Sequence, residues 1–312
     1  MMKIGYPVVS FHMLKRGVTP YREVKEENAS HTMQKNLEDL EETLRWNEEQ
    51  GIKFYRLSNN LSYEHIAKLP NINLIEQKLN DIGEFCRLHG HRLSFHCSHY
   101  AVLASPKDFV RRLALREIES QSRFFDMLGY RPSHWNKINI HIGGAYGDRE
   151  KTADTWLSVW DSLSSSAKSR LVVENDDKDS LYSVKRLYDT IHKRSGIPIT
   201  FDSFHHNFCH DGLSKEEAAN LAASTWGDNE PCFHFASSKN LNEQKSVQTA
   251  HATWIYEEVQ DWGTGAWTMV ESNGRDVAVL SYLKNGQGNF SIEQPELLEM
   301  LNVEKETEKE EV

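Results

Sequence analysis

The feature that most constrains this chain is an alternation that never breaks: short apolar, β-rich runs separated by longer segments with helical apolar spacing. Eight runs qualify: Lys3 to Tyr6, Ile52 to Leu57, Arg92 to His96, Ile138 to Ile142, Leu171 to Asn175, Pro198 to Asp202, Cys232 to Ser237 and Trp267 to Ser272. Between them apolar residues recur at helical intervals, as in Met33, Leu37, Leu40 and Leu44, or Phe109, Leu113, Ile118, Phe124 and Phe125. Helices are therefore expected between every pair of strands. A helix inserted between two strands returns the chain to the starting end of the sheet, so the strands pair in parallel. Eight such units are the number that closes a parallel sheet on itself. The expected fold is α/β, a single (β/α)8 barrel, although an open doubly wound sheet shares the same local signals. The units differ in length and share no motif, which excludes a solenoid. Residues 1–301 are assigned to the barrel and 302–312 (NVEKETEKEEV) to a charged, disordered tail.

Composition permits this reading and narrows the compartment. The 312 residues are 38% hydrophobic, enough for a sizeable core. The first residues lack a basic stretch followed by a long apolar one, and nothing approaches the roughly 20 apolar residues of a membrane span. A cytoplasmic protein is expected, associated with the nucleoid if the source is prokaryotic. Cys86, Cys97, Cys209 and Cys232 form no CxxC pair and read as reduced thiols. The formal net charge of -10 argues against a polyanionic partner. The acidic tail accounts for part of it, and carboxylates that hold divalent cations would reverse the local sign.

The chemistry is legible in where polar residues fall within the strands. The third run ends in His96, the fourth carries His141, the fifth Glu174 and the sixth Asp202 with His205 just after. The seventh contains His234 and the eighth Glu271. A lone strand histidine is more often a hydrogen-bonded core residue than a ligand, and a strand-end carboxylate is often a helix cap. Six successive apolar strands each carrying such a group are harder to explain that way, because unpaired burial is costly. The C-terminal rim is where residues distant in sequence meet in a barrel, so the series reads as a multinuclear metal site, with His251 near enough to join it.

Two loops add to this. In HIGGAYGDRE, Gly143 and Gly144 allow close backbone approach to a phosphate, though such turns also occur for purely conformational reasons. In HCSHYAVLASP, His99 and Tyr100 form an aromatic pair suited to wedging between bases. Arg56, Arg149, Lys239 and Arg275 follow strands two, four, seven and eight and are candidate phosphate contacts.

The motifs KIGYP, LSFHCSHY, IHIGGAYGDRE, LVVENDD, DSFHH, FHFAS, AHA and MVESNGRD together resemble the UV damage endonuclease family, whose barrel is similar to those of apurinic-site endonucleases and sugar isomerases. The resemblance implies a repair enzyme that cuts damaged double-stranded DNA immediately 5′ to a UV photoproduct, leaving a 3′-hydroxyl and a 5′-phosphate. It implies two to three divalent ions, Mn2+ foremost, with Zn2+ or Fe2+ compatible with the same donors. Carried over, one ion takes His96, His141 and Glu174; a second shares Glu174 and adds Asp202, His234 and Glu271; a third takes His205 and His251. Glu174, His141, Glu271 and Asp202 become the catalytic set. Tyr6, His99 and Tyr100 become damage-probing residues.

The chain departs from the family pattern in four places. His99 stands where the family's HPGQ motif has glutamine, and Ser10 where asparagine is usual. Cys232 replaces a lysine that takes up carbon dioxide in some members, and could be either a soft ligand or a small filler. Asn273, Gly274, Arg275 and Asp276 weaken a basic stretch. The competing readings are a sugar isomerase or epimerase of the same barrel type and a barrel that has lost activity. The former predicts a proton-transfer pair and no aromatic wedge; the latter has little reason to retain buried ligands.

Overall fold

A computed structural model describes residues 3–286, apart from 62–65, 68 and 70–71. Eight parallel strands pair in chain order: β1 (Ile4–Pro7), β2 (Phe54–Arg56), β3 (Arg92–His96), β4 (Ile138–Ile140), β5 (Leu171–Glu174), β6 (Ile199–Asp202), β7 (Cys232–Phe235) and β8 (Trp267–Val270). β8 returns to pair with β1 and closes the barrel. The expected (β/α)8 architecture is what forms. Most strands are shorter than the apolar runs that announce them, because pairing stops where the chain bends outward at the rim.

The outer layer carries α1 (Ala29–Glu49), α2 (Ile72–His89), α3 (Asp108–Met127), α4 (Arg149–Trp160), α5 (184–195, with a π turn at Tyr188–His192), α6 (Lys215–Ala223), α7 (Lys239–Asn242) and α8 (Arg275–Asn285). The α1 stripe Met33, Leu37, Leu40 and Leu44 is fully buried. Two expectations fail locally. On α3 the buried face runs through Ala114, Ile118, Gln121 and Phe125, while Phe109 and Leu113 are 55% and 52% exposed beside Tyr100. Between β7 and β8 only the single turn α7 stands close to the barrel, and the rest is loop, consistent with a stretch that lacks 3.6-residue apolar spacing. The expected tail from residue 302 lies outside the described residues. Among the described residues no helix is long and apolar enough to cross a membrane.

Inside the barrel, alternate strand residues face the axis. At the N-terminal end the fully buried Arg92 lies 4.6 Å from the Trp135 ring and near those of Trp226, Phe54 and Trp267. It donates to the carbonyls of Trp135 (2.7 Å) and Glu230 (3.0 Å). A guanidinium with this many acceptors and aromatic faces plugs the floor without an unpaired charge. Above it Cys232 packs with Phe54, Val172, Trp226, Trp267 and Met269, so the thiol fills space one layer below the polar rim. Burial pushes its pKa up, which keeps it a thiol.

Candidate metal centre

The upper layers of the barrel are polar. Glu174, at the end of β5, is buried and surrounded: His96 Nε2 lies 3.1 Å from its Oε2, His234 Nδ1 2.9 Å from its Oε1, and Asn139 donates to Oε2. His141 Nε2 is 3.6 Å from Oε2. Three groups of potential ligand atoms lie within 4.8 Å of one another: His96, His141 and Glu174; Glu174, Asp202 and His205; and Asp202, His234 and Glu271. Glu174 and Asp202 each belong to two, so the three sets form one continuous centre. His205 joins through the two carboxylates, whereas the family resemblance implied a pairing with His251. His251 lies just outside these groups, its ring centroid 6.5 Å from that of His205.

Hydrogen bonding orients several of the rings. Nδ1 of His96 is 2.8 Å from the Cys97 carbonyl, that of His205 2.9 Å from the Asn175 carbonyl and that of His251 3.0 Å from the Glu271 carbonyl, while Nδ1 of His141 lies 3.2 Å from Asp176 as an ion pair without a formed hydrogen bond. In His96 and His251 a carbonyl acceptor favours the proton on Nδ1, an arrangement that orients ligand histidines, while in His205 it is Nδ1 that lies nearest Glu174 (3.6 Å) and Asp202 (3.8 Å). Asp202 supplies a matching donor. Its Oδ1 accepts the Phe204 and His205 amides at 2.7 Å, while its fully buried Oδ2 has no hydrogen-bond partner. An orphaned carboxylate oxygen among imidazole nitrogens and carboxylates is a donor set that fits a divalent cation.

Electrostatics follow the same geometry. Burial, reinforced by Glu174 and Glu271, lifts the Asp202 carboxyl to about 6. Burial also disfavours charge on Glu174, but His234 and His141 outweigh it and hold this carboxylate well below its ordinary range. For Glu271, burial is likewise overcome, here by Arg56 and His234. His234 is driven down to about 3 by burial, against the pull of Glu174. It is therefore neutral.

Two basic residues take positions that differ from the sequence expectation. Arg56, expected as a phosphate contact, is turned inward: Nη2 lies 2.5 Å from Glu271 Oε1 and 3.1 Å from His234 Nε2. Lys137, which the strand-end pattern missed, is fully inside the barrel, with Nζ 2.8 Å from His234 Nε2, 2.9 Å from Asn139 Oδ1 and 3.3 Å from Thr200 Oγ1. The signal for Lys137 was present, since it lies two residues before Asn139 and four before His141 on the same face.

Tyr6 also requires correction. It is fully buried on the helix-facing side of β1 and donates its hydroxyl to Asn47 Oδ1 of α1 at 2.8 Å, so it cannot probe a lesion from there. His99 and Tyr100 are exposed on the β3 loop, Tyr100 by 74%, with ring centroids 3.9 Å apart. Gly143 has φ 87, and a Cβ there would press on Val102; one on Gly144 would press on the Tyr146 ring. Both glycines thus have a conformational reason to be glycine. Lys239 opens α7 and Arg275 opens α8, both half-buried at the rim, while Arg149 is tied to the Ser180 carbonyl. Two departures from the family pattern meet: Ser10 donates to the buried Asp276, which also accepts the Phe11 amide.

Comparisons with known proteins point to one family. The family model described as UV-endonuclease UvdE matches residues 10–300. A UV DNA damage endonuclease of Clostridium perfringens is 29% identical over 299 residues, covering 91% of this chain and 70% of that protein. The crystal structure of SacUVDE superposes with a TM-score of 0.79 at 28% identity, covering 91% of this chain and 97% of that one. The D-psicose 3-epimerase of Clostridium cellulolyticum H10, at 12% identity and a TM-score of 0.54 over 99% of this chain and 98% of that one, shares the fold alone.

Proposed function

The chain belongs to the UV-endonuclease UvdE family, and from that premise we propose that it nicks double-stranded DNA immediately 5′ to UV photoproducts, leaving a 3′-hydroxyl and a 5′-phosphate, with two to three divalent ions. Mn2+ is the foremost candidate; Zn2+ and Fe2+ suit the same nitrogen and oxygen donors. The observation that carries this reading is the convergence of His96, His141, Glu174, Asp202, His205, His234 and Glu271 into three overlapping groups of ligand atoms within 4.8 Å of one another, around a buried Asp202 Oδ2 that has no hydrogen-bond partner. Divalent ions there would supply Lewis-acid stabilisation of the phosphodiester and activation of water.

The protein's own residues divide the remaining work. His96, His141 and Glu174 would hold one ion, Glu174, Asp202 and His205 another, with His234 and Glu271 completing the centre and His251 flanking it. Glu174, His141, Asp202 and Glu271 are assigned as the catalytic set. His99 and Tyr100 project where a kinked duplex would lie and would occupy the space of a displaced lesion. Gly143 and Gly144 allow the backbone near a phosphate, and Lys239 and Arg275 would steady the strand. Photoproducts stack poorly, so extruding them costs less than extruding sound bases; this gives selectivity without reading sequence.

The test is nicking of a short duplex carrying one defined photoproduct, with added Mn2+. The expected result is a single nick on the 5′ side that is lost with chelator, with Glu174→Gln and with undamaged duplex. Binding of Mn2+ without cleavage of either duplex would overturn the repair assignment and leave the metal centre standing.

A further inference from the structure

His234 is built the opposite way from His96: acceptors meet both ring nitrogens of His96, whereas two donors meet one nitrogen of His234. Arg56 has donors and no acceptor, so His234 Nε2, 3.1 Å from Arg56 Nη2, must accept. Lys137 Nζ approaches the same nitrogen at 2.8 Å. The ring proton therefore sits on Nδ1, where it is donated to Glu174 Oε1 at 2.9 Å. Nδ1 is also the nitrogen nearest Glu271, at 3.4 Å, and so the one an ion at the Asp202, His234 and Glu271 corner would need. To ligate through Nδ1, the ring would have to move its proton to Nε2, which faces two donors.

Charge leads to the same conclusion. Asp202 and Glu271 bring two negative charges to the corner, and Arg56 and Lys137 bring two positive ones. The partners of His96 and His141 are instead the Cys97 carbonyl, Asp176 and Glu174, all acceptors. Lys137 is held by Asn139, Thr200 and His234, three acceptors for its three protons and none of them an anion. Its charge is therefore not spent on a neighbouring carboxylate.

Resting on the multinuclear reading above, we propose that the centre is graded: an ion binds tightly at His96, His141 and Glu174 and weakly at Asp202, His234 and Glu271. Arg56 and Lys137 act there as positioning residues that hold His234 and Glu271 and occupy the electrostatic place of an ion.

The test is equilibrium dialysis of the metal-free protein against Mn2+, with bound metal measured by mass spectrometry. The wild type should show a tight class and a class at least about tenfold weaker, as expected for two fixed cations beside an ion. In Lys137→Met the weak class should tighten by about tenfold and the tight class stay within about threefold. Lys137→Gln, which also removes the charge, should behave alike. A single class of equivalent ions in the wild type would overturn the grading whether or not the variants fold, and so would variants that shift both classes equally. Failure of the wild type to bind any Mn2+ would overturn the multinuclear reading itself, a different result from either of these.

Discussion

Tyr6 is a residue whose neighbours in sequence point to DNA and whose side chain points to the core. Residues alternate across a strand, and β1 turns Gly5 and Pro7 toward the axis and Tyr6 toward α1. There its hydroxyl satisfies Asn47 Oδ1, while Asn47 Nδ2 has no hydrogen-bond partner. Tyr6→Phe should leave a second polar atom of Asn47 unsatisfied and cost about 1–2 kcal/mol. It should leave nicking of damaged duplex unchanged. Urea unfolding and the nicking assay read the two effects separately, and loss of cleavage without loss of stability would restore Tyr6 to the DNA interface. The same alternation explains what could be read at the metal centre. His96, His141, Glu174, Asp202, His234 and Glu271 stand out because ionisable groups are rare in apolar strands. Lys137 follows from the same rule, applied at the residue just before β4. What the sequence could not show is the orientation of His234, because its partners come from β2, β4 and β5 and meet only in the closed barrel.

At the scale of elements, strand identity was readable throughout, and β3 agrees to the residue, because apolar runs bounded by polar turns leave little choice. The intervals were harder. Phe109 and Leu113 fit a helical stripe by spacing, yet the stripe that meets the barrel starts at Ala114, since a helix's buried face is chosen by its neighbours. Between β7 and β8 the chain supplies mostly loop, with only the four-residue α7 where a helix was expected. Closure itself depends on a residue that carries no side chain. Gly5 pairs with Phe54 on one side and Met269 on the other, at the β1 strand that joins the first and last units. A Cβ on Gly5 would stand 1.9 Å from the Phe54 carbonyl oxygen, and that oxygen belongs to the backbone of β2. Gly5→Ala should therefore destabilise the barrel by about 3 kcal/mol or more, beyond ordinary overpacking, because the strand cannot rotate away. A thermal unfolding midpoint equal to that of the wild type would show that β1 shifts freely and that closure is looser than the register implies.

The whole molecule balances a net charge of -10 against a substrate of the same sign, with the carboxylates of the rim gathered where cations would offset them. Its stability against acid depends also on groups buried away from the centre. His91, packed under α2, is pushed down to about 4 from 6.5 by burial, which outweighs its hydrogen bond to Glu48. His134, near the floor, falls to about 4 through burial and the nearby Arg92. Both are lower folded than unfolded, so the stability they represent is present above about pH 6.5. It is lost as pH falls toward 4, where the unfolded chain binds protons the native state refuses. Each can contribute at most about 3 kcal/mol across that window. His141 has the opposite sign in chelated protein: burial is overcome by Glu174 and Asp176, its pKa rises to about 10, and its contribution fades as pH climbs above 6.5. Bound cations would keep that ring neutral and remove the alkaline arm. Urea midpoints should accordingly fall between pH 6.5 and 5 with or without chelator, ahead of most carboxylate titration. Only the chelated protein should also weaken from pH 7 to 9. A midpoint flat from pH 7 to 5 would mean that His91 and His134 gain partners on protonation that this fold does not contain.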